Sequence, residues 1–222
     1  MTTFLLLRHA HSTANAAGIL AGRLEDIHLS EIGKRQSLEV AESLKDFEIG
    51  RIYTSPLERC IESVTPLAQR RSKRISQLPL MIEMDYGAWS GKNLKTLRHT
   101  SLWQKIQRSP SQVTFPEGES FASAARRVEK ALTTLSQKHP KSTVLVCSHG
   151  DIIKIAVQIT LGGELDKFQR VIIDPATLTT LVWSGRDRAV LSLNNRLTKR
   201  SGKKSKPRSM KHRRVVGGGS DV

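Results

Sequence analysis

The sequence predicts an α/β protein, a three-layer α/β/α sandwich around a mainly parallel central sheet. Continuous apolar runs at residues 4–8 (FLLLR) and 142–150 (STVLVCSHG) are typical of strands buried on both faces. Between such runs lie segments whose apolar residues recur at helical spacing, so strands and helices alternate along the chain. The 222 residues, 38% of them hydrophobic, are enough to enclose one sizeable core.

The predicted elements follow one another in β-α-β order and end in a pair of strands. After the first strand, a helix over 29–47 is expected to begin at Ser30, whose hydroxyl is a suitable N-cap. A strand over 51–55 leads into a helix over 57–70 that is predicted to be interrupted or to restart near Pro66. The other predictions are a strand over 78–82, a helix over 120–139, the strand over 142–150, a helix over 151–161, and strands over 176–184 and 189–195 that form a hairpin.

Half of the net positive charge lies at the C-terminal end. Residues 199–222 hold nine Lys/Arg and one Asp, a net +8, whereas residues 1–198 hold 27 Lys/Arg and 19 Asp/Glu, also +8. We therefore predict one domain over residues 1–198 and a basic, disordered tail over 199–222, because the tail has few apolar residues to bury. Its cations, all within 199–214, could bind nucleic acid or another polyanion by charge alone.

The cysteines and the N-terminal residues bear on the cellular compartment. Cys60 and Cys147 lie far apart in sequence, and we expect buried, reduced thiols rather than a disulfide framework. No stretch reaches the roughly 18 uncharged apolar residues of a membrane span. Residues 1–7 are typical of a strand and lack the features of a signal peptide. The sequence thus predicts a cytoplasmic protein without a transmembrane segment.

Polar residues stand where the predicted strands end. The first strand ends on Arg8 and His9, the second leads to Arg59, the 78–82 strand ends on Glu83, and the 142–150 strand ends on His149. Because the carboxyl ends of parallel strands meet at one edge of a sheet, we expect these side chains to lie together. An imidazole can attack a phosphoryl group, two guanidiniums can hold its oxygens, and a protonated carboxyl can protonate the leaving oxygen. The set is suited to phosphoryl transfer without a metal.

A metal site is the alternative for the same segments. His9 and His11 form a His-x-His pair after the first strand, and His149 with Asp151 could add an imidazole and a carboxylate. This hypothesis leaves the two arginines unexplained, because their charges would repel a divalent cation. The sequence therefore favours the metal-free hypothesis, with no metal and no cofactor.

Five segments, in order, resemble the histidine phosphatase superfamily, also called the phosphoglycerate mutase-like family. They are RHAHSTAN (8–15), LSEIGKRQ (29–36), YTSPLERC (53–60), IEMDYGAWSGK (82–92) and VLVCSHGDII (144–153). The resemblance covers roughly residues 3–195 and implies the phosphoglycerate mutase-like fold.

The resemblance implies a role for each matching position. His9 would be the nucleophile that becomes phosphorylated, and Glu83 would be the general acid for the leaving group and then the base for water. The phosphate would be bound by Arg8, Asn15, Arg59, His149 and the backbone N–H of Gly150 at the start of a helix. His11 would be a neighbour of the pocket rather than a ligand.

The segment after Glu83 distinguishes two kinds of family member. The glycolytic mutases carry Trp-Asn in the opening motif, where this chain has Ala14-Asn15, and a longer insert with a run of arginines. Here the segment 87–121 is short and contains PEGES (116–120), which is similar to the small broad-specificity phosphatases. The sequence therefore favours hydrolysis of a small phosphorylated metabolite over a mutase reaction. A polyanion-binding protein acting through the tail is a third hypothesis, and the oligomeric state, a dimer included, is left open.

Overall fold

A central sheet organises the described residues, 1–185 and 187–197, of this computed structural model. The strands are β1 (Thr2–Arg8), β2 (Arg51–Thr54), β3 (Ile75–Gln77), β4 (Thr143–Ser148), β5 (Thr177–Ser184) and β6 (Asp187–Arg196). Within the described ranges they form one six-stranded sheet in the order β3-β2-β4-β1-β5-β6. The β1–β4, β2–β4 and β2–β3 pairings are parallel, whereas the β1–β5 and β5–β6 pairings are antiparallel. The mainly parallel sheet and its terminal hairpin are confirmed.

Helices cover both faces of this sheet. They are α1 (Thr13–Ala17), α2 (Glu31–Ser43), α3 (Glu58–Arg70), α4 (Leu94–Leu97), α5 (Ser101–Arg108), α6 (Phe121–Lys138) and α7 (Gly150–Thr160). The predicted N-cap is in place, since the Ser30 hydroxyl accepts from the N–H of Gly33 at the start of α2. At the start of α6 the Ser120 hydroxyl accepts from the N–H of Ser123 in the same way. None of the helices in the described ranges is both long and apolar enough to cross a membrane.

The alternation of side chains along β1 divides the interior into two cores. Phe4 and Leu6 pack in the core that contains the buried faces of α6 and α7. Leu5 and Leu7 pack in the second core, with α2 and α3. Successive side chains of a strand point to opposite faces, so one continuous apolar run supplies both cores. The predicted three-layer α/β/α sandwich is confirmed.

The predicted strand over 78–82 is wrong. The third strand is β3, three residues earlier, and Pro79–Met81 forms a turn of 3₁₀ helix that brings Glu83 into an irregular segment. Proline has no N–H to donate to a ladder, so Pro79 cannot continue the strand. The apolar side chains of Met81 and Met84 are buried in the core without strand pairing, which explains why the segment was predicted as a strand.

The predicted interruption near Pro66 is also wrong, because α3 runs without a break from Glu58 to Arg70 with Pro66 inside it. Proline removes a single hydrogen bond from the ladder. The buried Val64 and Leu67 on either side of it keep the helix packed against the sheet. The predicted tail over 199–222 lies outside the described residues.

Candidate active site

A small pocket opens at the edge of the sheet where β1 and β4 end. It encloses about 40 Å³, room for roughly three water-sized groups. Its lining includes five of the predicted site residues: Arg8, His9, Asn15, Arg59 and Glu83. The expectation that the polar strand ends converge is therefore confirmed, although Glu83 arrives on an irregular segment.

His9 follows β1 and is held in one tautomer. Its ring Nδ1 lies 2.8 Å from the backbone carbonyl oxygen of Ala10. Because a carbonyl oxygen only accepts, Nδ1 carries the proton and Nε2 keeps its lone pair. Burial lowers the pKa of His9 well below its usual value, and the charges of Arg59 and Arg8 lower it further. The ring is thus a neutral imidazole with a nucleophilic Nε2 at neutral pH.

Two buried arginines line the pocket beside His9. Arg8 and Arg59 are each 1% exposed. Arg8 Nη1 donates to the carbonyl oxygen of Ile173 at 2.7 Å, and Arg59 Nη2 donates to that of Gly22 at 2.7 Å. Arg59 Nη1 is buried without a hydrogen-bond partner among the described residues. A buried N–H group of a cation is costly to leave unpaired, and an oxyanion in the pocket would satisfy it.

His149 lies behind the pocket, in contact with two residues that line it. Its Nδ1 is 3.9 Å from Glu83 Oε2, and its ring centroid is 5.3 Å from that of His9. Nε2 lies 2.7 Å from the hydroxyl oxygen of Ser55, which fixes the ring orientation. Burial lowers the pKa of His149 well below its usual value, with the charge of Arg59 as the next cause. His149 is therefore a second neutral imidazole.

Glu83 has the protonation behaviour required of a general acid. Its side chain is buried, and burial raises its pKa to about 7, with the charge of Asp151 as the second cause. The hydrogen bond from the Met84 N–H to Oε1, at 2.9 Å, and the charges of the two pocket arginines act in the opposite direction. A carboxyl group with this pKa can both give and take a proton near neutral pH.

Two arginines that sequence analysis did not single out hold the Glu83 segment in place. Arg127 Nη2 and Arg23 Nε both donate to the carbonyl oxygen of Glu83, at 3.1 and 3.0 Å. The Glu119 carboxylate accepts from both arginines, at 2.6 Å from Arg127 and 3.1 Å from Arg23. The available signal was PEGES, which contains Glu119, but nothing in the sequence connects that motif to these arginines.

Of the three other residues considered from the sequence, Asn15 lines the pocket, whereas Gly150 and His11 are not part of its lining. The Oδ1 atom of Asn15 accepts from the Ser12 N–H and hydroxyl, at 3.0 and 2.9 Å, which leaves its amide NH₂ as the group that can donate to an anion. Gly150 begins α7 directly after His149, and its N–H as an anion ligand stays a prediction. His11 is outside the pocket lining, with Nδ1 2.8 Å from the Ser30 hydroxyl oxygen.

A neutral histidine nucleophile, two buried arginines and a buried carboxyl at the strand edge of an α/β sandwich define a histidine-dependent phosphoryl-transfer enzyme. The chain belongs to the histidine phosphatase superfamily (branch 1), which it matches over residues 4–196. It is similar to phosphoserine phosphatase 1 of Hydrogenobacter thermophilus, 31% identical over 196 residues that cover 87% of this chain and 92% of that protein. It is also similar to a metal-independent phosphoserine phosphatase of Arabidopsis thaliana, 27% identical over 82% of this chain and 79% of that protein.

Solved structures have the same fold. A phosphoserine phosphatase mutant from Entamoeba histolytica, in complex with phosphoserine, superposes with a TM-score of 0.79 at 25% identity and covers 87% of this chain and 98% of its own. YhfR of Bacillus stearothermophilus superposes with a TM-score of 0.81 at 23% identity, over 88% of this chain and 98% of its own. The predicted family is confirmed, and the relatives named here as phosphatases agree with the preference for a hydrolase.

Proposed function

We propose that this histidine phosphatase hydrolyses small phosphomonoesters, phosphoserine among them, through a phosphohistidine formed on His9. The observation that carries the proposal is the pairing of a neutral His9 imidazole with Arg59, whose Nη1 is buried without a partner among the described residues. A nucleophile and an unsatisfied phosphate donor thus line one pocket.

In the first transfer, the Nε2 lone pair of His9 attacks phosphorus and the bond from phosphorus to the ester oxygen breaks. The electron pair of that bond stays on the leaving oxygen, which takes the proton of Glu83. Arg8 and Arg59 hold the phosphoryl oxygens, and their N–H donors stabilise the negative charge on these oxygens in the transition state. The Nδ1–H bond to the Ala10 carbonyl stabilises the positive charge that develops on the ring.

In the second transfer, water attacks phosphorus from the side that the alcohol has left. Glu83, now a carboxylate, takes the water proton, and the phosphorus–nitrogen bond breaks with its electron pair returning to Nε2. Orthophosphate leaves, and both His9 and Glu83 are back in their starting protonation states. If a second hydroxyl group replaced water, the same steps would give the mutase reaction.

The pocket itself supports a phosphoryl group as the part of the substrate that is enclosed. Its volume is about 40 Å³, and its lining joins charged residues to the apolar Ile19, Leu20 and Leu94. Two relatives named as phosphoserine phosphatases support phosphoserine as the first compound to test. We also propose a reducing, cytoplasmic location, which the free, buried thiols of Cys60 and Cys147 support. Binding of a polyanion through residues 199–214 stays a prediction.

The test is phosphate release from phosphoserine and from p-nitrophenyl phosphate in EDTA, with His9→Ala and His11→Ala compared with wild type. We expect His9→Ala to abolish turnover and His11→Ala, outside the pocket, to retain it. Rapid quenching with labelled substrate should trap an acid-labile, base-stable phosphoryl-protein in the wild type alone. Activity that EDTA removes, or that survives in His9→Ala, would overturn the proposal, and label found in a second hydroxyl compound would identify a mutase.

A further inference from the structure

Behind Glu83 lies a buried, hydrogen-bonded group that the proposed steps do not use, made of Tyr86, Asp151 and Lys154. The Tyr86 hydroxyl donates to Asp151 Oδ2 at 2.8 Å, and Lys154 Nζ lies 3.4 Å from Asp151 Oδ1. Their exposed fractions are 1%, 0% and 3%. Sequence analysis considered only Asp151, as a ligand in the alternative metal hypothesis.

The two charges lie beside a large apolar cluster, although Lys154 Nζ also donates to the buried Gln169 Oε1 at 3.4 Å. The first turns of α7 read GDIIKIAV, and the isoleucines of this segment are fully buried in the core. Lys154 Nζ also lies 4.7 Å from the ring centroid of Phe168, on the same apolar side. Burying an aspartate and a lysine here costs free energy that apolar side chains of similar volume would not cost. Packing alone therefore gives no reason for this pair.

The Asp151–Lys154 pair is connected to two segments of the site, the one that carries Glu83 and the one that carries His149. Tyr86 lies three residues after Glu83 and lines the active-site pocket. Asp151 lies two residues after His149, whose Nδ1 is 3.9 Å from Glu83 Oε2. The buried Asp151 carboxylate is thus joined to the pocket through the Tyr86 hydroxyl, and along the chain to His149, in a region where little water can screen its charge.

We propose that Asp151 and Lys154 are positioning residues of opposite sign that set the proton affinity of Glu83. The negative charge of Asp151 favours the protonated, proton-donating form of Glu83, and the ammonium of Lys154 limits that effect. The inference rests on the proposed function, because only a phosphatase that uses Glu83 as its acid needs this adjustment.

The charges around Glu83 show why an adjustment is needed. Arg8 on β1 and Arg59 on α3 favour the carboxylate, as does the Met84 N–H. The two imidazoles, His9 and His149, are neutral, and the Arg23 and Arg127 guanidiniums are bound to the Glu83 carbonyl. Burial and Asp151 are the two causes that raise the Glu83 pKa. The Lys154 pKa is lowered by burial and is raised in part by Glu83, so these two groups also interact.

The test is the alkaline limb of the pH dependence of kcat/KM for phosphoserine. We expect Asp151→Asn to move the limb down by about one pH unit, and Lys154→Met, of similar volume, to move it up. The matched control is Asp46→Asn, which removes the same charge at an exposed side chain outside the pocket lining and should move the limb by less than about 0.2 pH unit. The ionisation of the substrate is the same for all variants, so it does not contribute to differences between them in the position of the limb.

The opposite directions in which the two substitutions should move the alkaline limb distinguish this role from a purely structural one. A merely structural pair would lower kcat in both variants without moving the limb, or would move it in the same direction in both, and either result overturns the inference. If Asp151→Asn does not fold, Lys154→Met decides alone, since an unchanged or lowered limb contradicts the proposal. The proposed function is tested separately, by loss of the limb in Glu83→Gln and by inactivity of His9→Ala. These two results do not depend on whether Asp151 and Lys154 influence Glu83.

Discussion

Glu83 Oε2 lies 3.9 Å from His149 Nδ1, with both side chains buried, and the His149 ring lies edge-on to that of His9 at 5.3 Å between centroids. His9, His149 and Glu83 therefore form one continuous cluster, in which His9 and Glu83 line the pocket and His149 lies behind it. Burial is the largest cause of all three pKa shifts, and it acts in the useful direction on each group. It keeps both imidazoles neutral and the carboxyl protonated.

The role of Glu83 as acid predicts a dependence on the leaving group. Glu83→Gln keeps the size of the side chain but removes the proton that it donates. Turnover of phosphoserine, whose serine alkoxide is a poor leaving group, should therefore fall by ~10²–10⁴-fold. Turnover of p-nitrophenyl phosphate should fall far less, because nitrophenolate leaves without a proton. Steady-state kinetics with both substrates measure the ratio. Equal losses for the two substrates would contradict the assignment, and Asp46→Asn, at an exposed side chain outside the pocket lining, is the control.

The pKa shifts predict a bell-shaped pH dependence of kcat/KM. The active form needs Glu83 protonated, and this form is lost as the pH rises through a pKa of about 7. It also needs His9 neutral, and because the His9 pKa is lowered, this form is lost only at a pH well below 6.5. Rates measured across this range in buffers of constant ionic strength should show the alkaline limb near neutrality. Activity that still rises above pH 8, roughly one unit past the Glu83 pKa, would contradict the assignment.

Arg59 should be irreplaceable by lysine. An ammonium is a point charge that cannot supply the paired N–H donors of a guanidinium, so Arg59→Lys should weaken inhibition by inorganic phosphate at least about tenfold. The control is Arg70→Lys on the same helix, where the side chain is 49% exposed and paired with Glu42. Inhibition constants from initial rates measure the effect. Similar constants for the two variants would show that Arg59 does not bind the phosphoryl group.

The Glu83 segment should depend on Arg127 for its stability. Arg127→Met removes the donor to three backbone carbonyls and leaves the largely buried Glu119 carboxylate with one arginine partner fewer. We expect a loss of about 2 kcal/mol in the free energy of unfolding. Urea denaturation measures it, with Arg126→Met, an exposed neighbour on the same helix, as the control. A loss no greater than that of the control would contradict the role of Arg127.

Local patterns were enough to predict most of the fold and most of the charged residues that line the pocket. The apolar runs of β1 and β4 and the Ser30 cap of α2 are determined by neighbouring residues, so sequence analysis predicted them. It placed Arg8, His9 and His149 together because they directly follow such runs. It failed at 78–82, where apolar residues are buried for core packing and not for strand pairing, since composition does not distinguish the two.

By itself, the sequence determined the mainly parallel character of the sheet and which side chains could carry the chemistry, because these follow from short-range periodicity and from residue types at strand ends. The family came from the resemblance of five segments to a known superfamily. Only the tertiary structure decided how protons are distributed in the site. The Tyr86–Asp151 hydrogen bond joins positions 65 residues apart, and Arg23 reaches the Glu83 carbonyl across 60. The pKa values of Glu83 and His9 depend on burial and on distances between such segments, and those quantities exist only once the chain has folded.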